Sequence, residues 1–185
     1  GAPSTTSMCS TPISVHYSAP SPPSDVAWQE VSPHNGLEIT AGWTPVTEKH
    51  VDDGLPLEDI AEATLRDSDN AAMNLVLDEL GGPDGLDSAL EEAGDATTEV
   101  VDEEPDLNDI DGDSPDNTTT PEAFTTDLQE LLDPDRLSTD DRDLLFEWMS
   151  DNETGDPLIR AGAPEGWTVQ DKSGHSDAIQ NDIAV

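Results

Sequence analysis

Three short segments carry side chains that could do chemistry. Ser68-Asp69-Asn70 puts a hydroxyl, a carboxylate and an amide side by side. Glu104-Pro105-Asp106-Leu107-Asn108 places a carboxylate four residues before an amide. Lys172-Ser173-Gly174 sets an ammonium next to a hydroxyl. Each also has a plain structural reading. Ser-Asp-Asn is a common helix cap or turn. A lysine on a strand end usually faces solvent, and one more acidic loop is unsurprising in this chain. Lys172 is nevertheless one of only two lysines. A cation kept among so many carboxylates implies an anionic partner.

The elements that must position these segments follow from period and punctuation. Pro56 suits the start of a helix whose apolar face is Leu57, Ile60, Ala61 and Leu65. A second helix runs from Ala71 to Leu80, with Ala72, Leu75, Val76 and Leu80 aligned, and stops at Gly81-Gly82. A short helix follows Pro83 around Leu86 and Leu90. The stretch from Val101 to Thr120 is acidic, turn-rich and without period. A helix restarts at Pro121 with Phe124, Leu128, Leu131 and Leu132. Ser138 with Asp141 forms a capping-box pattern ahead of Leu144, Leu145, Trp148 and Met149. Gly166-Trp167-Thr168-Val169 reads as a strand, and Ile183-Ala184-Val185 as the beginning of another.

Composition excludes several functions. The 185 residues hold 43 Asp+Glu against 6 Lys+Arg, a formal net charge of −37. Phosphate contacts need clustered Lys and Arg, so a nucleic-acid surface is excluded, and an anionic membrane surface with it. No apolar run approaches the roughly 20 residues of a membrane span. No basic-then-apolar leader is visible, the chain opening on Gly1. Cys9 is the one cysteine, so no internal disulfide framework is expected. High charge with few apolar residues is a signature of disorder. It also suits a fold adapted to concentrated salt, where the screening length falls to about 3 Å. The several apolar faces from residue 41 onward favour the second reading. Residues 1–40 differ from the rest: three acids, no Lys or Arg, six prolines and eight serines, with no helical or strand period.

Spacing and flanks turn the three segments into one pattern. Ser68 and Glu104 are 36 residues apart, and Glu104 and Lys172 are 68 apart. Together with Pro45 through His50, Gly81-Gly82-Pro83, Thr118-Thr119-Thr120-Pro121, Gly166 through Val169 and Asn181 through Val185, they make the chain resemble a class A serine β-lactamase, whose signature includes S-D-N and K-T-G triplets. The resemblance covers residues 43–185 almost without a gap.

That resemblance implies a serine acyl-enzyme that hydrolyses the β-lactam ring. Ser68 would relay a proton to the departing nitrogen and Asn70 would bind the substrate's side-chain amide. Glu104 and Asn108 would hold the hydrolytic water. Lys172 and Ser173 would bind the substrate carboxylate, and the backbone N–H of His175 would serve the oxyanion hole. The nucleophile is expected at Ser10, in Met8-Cys9-Ser10-Thr11. The Lys of the family's S-x-x-K should stand three residues later, where Ile13 is found after Pro12. Residues 12–40 resemble no part of the family, although their length is nearly right. A shifted reading frame between correct flanks, or a defective gene copy, would produce such a switch. A second departure spans Ser176 to Gln180, with Gln180 where the family has Arg.

The fold class that the resemblance implies is α+β (an α/β sandwich), a helical lobe beside an antiparallel sheet, incomplete at both ends. It divides the chain into residues 1–43 with the nucleophile, residues 44–165 as the helical lobe with the active-site loop, and residues 166–185 as the start of the sheet. A small-molecule β-lactam is the expected partner, with no nucleic acid, no membrane, no cofactor and no metal, in a monomer that the family would place outside the cell or in the periplasm.

Three other readings stand beside it. Asp106 through Asp113 is dense in oxygen ligands for calcium, but an EF-hand with Gly112 at loop position 6 puts Leu107 and Thr118 where acids are needed. A disordered acidic interaction segment is the second. The third is an acyltransferase like the penicillin-binding proteins, against which the Glu104–Asn108 loop argues.

Overall fold

The computed structural model describes residues 6–7, 41–110, 112–150, 152, 154–176 and 179–185. Strand β1 is Thr6–Ser7, followed by helices α1 (Leu57–Arg66), α2 (Asn70–Leu80) and α3 (Pro83–Ala93), strand β2 (Thr118–Thr119), helices α4 (Pro121–Leu131), α5 (Thr139–Ser150) and α6 (Ile159–Gly162), and strands β3 (Asp171–Ser176) and β4 (Ile179–Ala184).

The expected helices form where period and punctuation place them. Pro56 is the N-cap residue of α1 rather than its first turn. Gly81 ends α2 at φ 97°, a left-handed conformation that glycine adopts without a Cβ penalty. The helix after Pro83 is longer than expected, 11 residues, and Gly85 within it is obligatory because a Cβ there would sit 2.0 Å from the Leu80 carbonyl oxygen. At α5, the Ser138 hydroxyl accepts the Asp141 N–H at 3.2 Å and donates to the Asp141 carboxylate at 2.6 Å. In the usual box a longer Glu reaches back to the cap N–H; here Asp takes the hydroxyl proton instead.

Three apolar clusters join these helices. Met73, Leu77, Leu86 and Leu90 pack α2 on α3, with Phe124 of α4 and Val100 against them. Ile60, Ala63 and Ala72 seat α1 on α2. Leu65, Leu145, Trp148 and Met149 bring α5 onto α1 over Leu137. Burial of these shared faces orders the described region despite the acidity, since non-directional apolar burial dominates folding.

The strands depart from expectation. The reading of residues 166–169 as a strand is wrong: Gly166 sits at φ 88° and the Trp167 N–H closes a turn on the Pro164 carbonyl at 3.1 Å. The strand is the polar run Asp171–Ser176, paired antiparallel with β4 so that Lys172 opposes Ile183 and Gly174 opposes Asn181. β4 also begins earlier than the Ile183 start expected for it. An apolar W-T-V run suggests a strand, but Trp167 is 72% exposed while Lys172 is 2% exposed. Tertiary context, not side-chain apolarity, buries β3. β1 was likewise unexpected. It pairs with β2, Thr6 opposite Thr119 and Ser7 opposite Thr118, and two residues are too few to show a period.

Candidate active site

Asp69 is the keystone of the first segment. It caps α2 by accepting the Ala72 N–H at 2.9 Å, and its carboxylate also accepts the Val46 and Thr47 N–H groups, both at 2.9 Å, and the Thr47 hydroxyl at 2.8 Å. It is fully buried. A buried carboxylate that accepts this many donors is rigidly placed, and its neighbours on either side are placed with it. Ser68 is held at φ 53°, a left-handed conformation that serine seldom adopts. Asn70 donates its Nδ2 to the Ala41 carbonyl at 2.7 Å, and its N–H goes to the Trp43 carbonyl at 2.9 Å.

Across the fold, β3 delivers Lys172. Its Nζ donates to Ser68 Oγ at 2.6 Å and to the Ser173 carbonyl oxygen. Sequence positions 104 residues apart thus meet in one hydrogen bond. Ser173 Oγ donates to Thr154 Oγ1 at 2.7 Å. Behind β3, Asp171 is fully buried and takes Nε and Nη2 of Arg160 on Oδ1 at 2.8 and 2.5 Å. Asn152 bridges the Met149 and Asp171 carbonyls at 2.8 and 2.7 Å. Asp182, on β4, has its carboxyl raised above the ordinary range, first by burial and then by the Asp171 charge, while the Ile159 N–H, Lys172 and Arg160 oppose that shift.

The third segment forms a short 3-10 turn over Asp106–Asn108. Glu104 is buried and its carboxylate accepts Asn108 Nδ2 at 2.6 Å. Asn108 Oδ1 is buried and has no hydrogen-bond partner among the described residues, an acceptor suited to holding a small polar molecule beside the carboxylate. The Glu104 backbone is clasped on both sides by Asn74: Asn74 Oδ1 accepts the Glu104 N–H at 2.9 Å, and Asn74 Nδ2 donates to the Glu104 carbonyl at 2.8 Å. Asn74 lies one helical turn beyond Asn70 on α2, on the same face. Hydrogen bonds at the start of α2 therefore link Lys172 to Ser68, just before the helix, and Asn74, one turn along it, to the Glu104–Asn108 segment.

Of the residues picked from sequence, Ser68, Asn70, Glu104, Asn108, Lys172 and Ser173 are linked in this way. His175 lies further along β3, exposed and opposite Gln180. Ser10, together with Pro12 and Ile13, lies outside the described residues. Sequence reasoning missed Asn74, Thr154, Asn152 and Arg160. Asn74 carried a readable signal, as the lone polar residue within Ala71-Ala72-Met73-Asn74-Leu75-Val76-Leu77, four residues after Asn70. Among the described residues no helix is long and apolar enough to cross a membrane.

The geometry joins a hydroxyl, a buried ammonium and a carboxylate–amide pair, the parts needed to bind an anion and move protons at an acyl centre. Comparison with known proteins bears on which acyl chemistry. A family model described as the β-lactamase enzyme family matches residues 25–185. The match takes in residues 25–42, part of which the motif reading had set outside the family. A β-lactamase of Bacillus subtilis (strain 168) is 49% identical over 154 residues, covering 82% of this chain and 50% of that protein. A crystal structure of a class A β-lactamase from Clostridium kluyveri DSM 555 superposes with a TM-score of 0.75 at 43% identity, over 77% of this chain and 55% of that one. A crystal structure of a halotolerant bacterial β-lactamase gives a TM-score of 0.75 at 44% identity, with 77% and 55% covered. The chain spans about half the length of the relatives it matches.

Proposed function

The chain belongs to the β-lactamase enzyme family and shares the α+β fold of the class A enzymes, and from that premise we propose that its site is built to hydrolyse the β-lactam ring through an acyl-enzyme on Ser10. The observation that carries the reading is the Lys172 Nζ–Ser68 Oγ bond of 2.6 Å. A buried cation there attracts the carboxylate of an anionic substrate and keeps the Ser68 hydroxyl poised to pass a proton to the lactam nitrogen as its bond to the acyl carbon breaks. Asn70 orients the substrate amide, Ser173 adds a hydroxyl for the carboxylate, and the His175 N–H serves the oxyanion. Glu104 then takes a proton from a water held with Asn108. The resulting hydroxide adds to the acyl carbonyl, and as the bond to Ser10 Oγ breaks that oxygen takes the proton held by Glu104, releasing the acid and restoring both side chains. The Glu104–Asn108 bond of 2.6 Å favours this hydrolytic step over an acyltransferase that would retain its acyl group.

In this reading residues 1–43 supply the nucleophile, 44–165 the helical lobe and 166–185 the opening of the sheet. The substrate is a small β-lactam, and the protein works as a monomer outside the cell or in the periplasm. With Ile13 where S-x-x-K has its Lys, Ser10 lacks the usual neighbouring base, and the chain as written acylates slowly or not at all. A chromogenic cephalosporin assay in molar NaCl tests this. Turnover in the Ile13→Lys variant and little in the unaltered chain is the expected result. Turnover of the unaltered chain comparable to an intact relative would refute the defect, and a dead Ile13→Lys variant that still folds would refute the assigned site.

A further inference from the structure

The loop that carries Glu104 leaves α3 after Gly94 and returns at Thr120, the N-cap residue of α4. Its neck is tied by a small polar knot. Asp95 accepts the Thr97 and Thr98 N–H groups at 2.7 and 3.2 Å and the Thr98 hydroxyl. Thr98 Oγ1 lies 2.7 Å from Thr119 Oγ1, and the Glu99 N–H donates to the Thr118 carbonyl at 3.1 Å. Outgoing and incoming chains are thus joined through the Asp95 turn. Burial pushes the Asp95 carboxyl up, but the Thr98 hydroxyl and the Thr97 and Thr98 amides together pull harder, so its net shift is downward and it is held ionised.

Against this turn lies Asp127 of α4. Asp127 is only 7% exposed, and its Oδ2 is shut from solvent with no hydrogen-bond partner among the described residues. Both residues line an open pocket of about 420 Å³ whose wall, among the described residues, includes Asp95, Thr97, Glu122, Thr126, Asp127 and Glu130 and no Lys, Arg or His. Glu122 and Glu130 come from α4 itself, and none of the acids of α3 (Asp84, Asp87, Glu91, Glu92) lines the pocket. Every titratable residue described in that wall therefore favours a neutral Asp127. Two carboxyls in one pocket wall disfavour each other's ionisation.

We propose that the Asp95–Asp127 pair is a proton-operated latch on the neck of the Glu104 loop. With one shared proton, Asp127 donates to Asp95 and ties α4 to the loop root. When that proton leaves, two negative charges face each other and residues 97–119 loosen. Burial first, then the charge of Asp95 and the bond to it, pushes Asp127 from 3.8 to about 7. The folded-state value is the raised one. The stability this proton contributes is therefore complete below about pH 4 and is lost as pH rises through about 7. A consequence for turnover rests on Glu104 being the hydrolytic base; the latch itself does not.

The test uses the full 185-residue chain in molar NaCl, as native protein and as Asp127→Asn. Hydrogen exchange is followed at the amides of Glu99, Val101 and Asp102, corrected for intrinsic rate, with α5 amides as the reference. The native chain is expected to open the neck at least about tenfold more often at pH 8.5 than at pH 5.5. Asp127→Asn, which keeps a hydrogen bond to Asp95 without a titrating proton, is expected to open equally at both. Carboxyl ¹³C NMR of the native chain supplies a second readout that needs no variant to fold: an Asp127 midpoint above pH 6 supports the latch. A midpoint near 4, or parallel exchange profiles for the two proteins, overturns it. Neither readout involves a substrate, so a failed latch leaves the role of Glu104 intact, and a failed catalytic assignment leaves the latch intact.

Discussion

Replacing Asn74 by Ala isolates the clasp that holds Glu104. The substitution deletes two hydrogen bonds, of 2.9 and 2.8 Å, to the Glu104 N–H and carbonyl. Each is worth about 1 kcal/mol net, and more where water cannot replace the lost partner, so the loop loses about 2–3 kcal/mol against local opening. That is roughly a 30- to 150-fold increase in the open population. The helix itself does not suffer, since Ala is a better helix former than Asn by several tenths of a kcal/mol. Local and global effects therefore separate. The assay is native-state hydrogen exchange at Leu107 and Asn108, whose N–H groups bond the Glu103 and Pro105 carbonyls at 2.8 and 3.1 Å and keep those acceptors in the variant. Their protection is expected to fall by one to two orders of magnitude while urea unfolding read at α5 is nearly unchanged. Unchanged protection at Leu107 would refute the claim that Asn74 holds the loop, and a uniform loss across α1, α2 and α5 would show a global role instead.

Two further predictions probe the frame around the site. Gly155→Ala would place a Cβ 1.5 Å from Asp171 Oδ2. Asp171 must move, its bonds to Arg160 break, and β3 is displaced, so unfolding free energy is expected to fall by at least about 3 kcal/mol; a stable variant with native exchange at Lys172 would contradict this. Ser138→Ala removes the cap of α5 and is expected to lower the urea midpoint by an amount equivalent to about 1 kcal/mol, with no change if the cap is idle.

The candidate site was legible because its chemistry is written in contiguous words. Ser68-Asp69-Asn70, Glu104 through Asn108 and Lys172-Ser173-Gly174 each hold their residues within one turn or strand, so the local chain alone fixes their relation. The helices were legible for a similar reason: Pro56, Pro83 and Pro121 open them, Gly81 closes one, and apolar residues at 3.6-residue spacing need a common core. β3 was not, because its side chains are polar and only packing against the helices buries it. Asn74 was overlooked since its partner, Glu104, lies 30 residues away and nothing local reports the contact.

Acidity shows the division most plainly. Forty-three acids in the sequence establish the sign of the surface field, exclude polyanionic partners and suit concentrated salt. Composition weighs them all alike. Only the fold distinguishes Asp69, fully satisfied by four donors, from Asp171, paired to Arg160, and from Asp127, buried in a pocket wall that also holds Asp95. The reason is physical: the charge state of a carboxyl is set by burial, nearby charge and hydrogen bonds, and those depend on which distant segments the tertiary structure brings together.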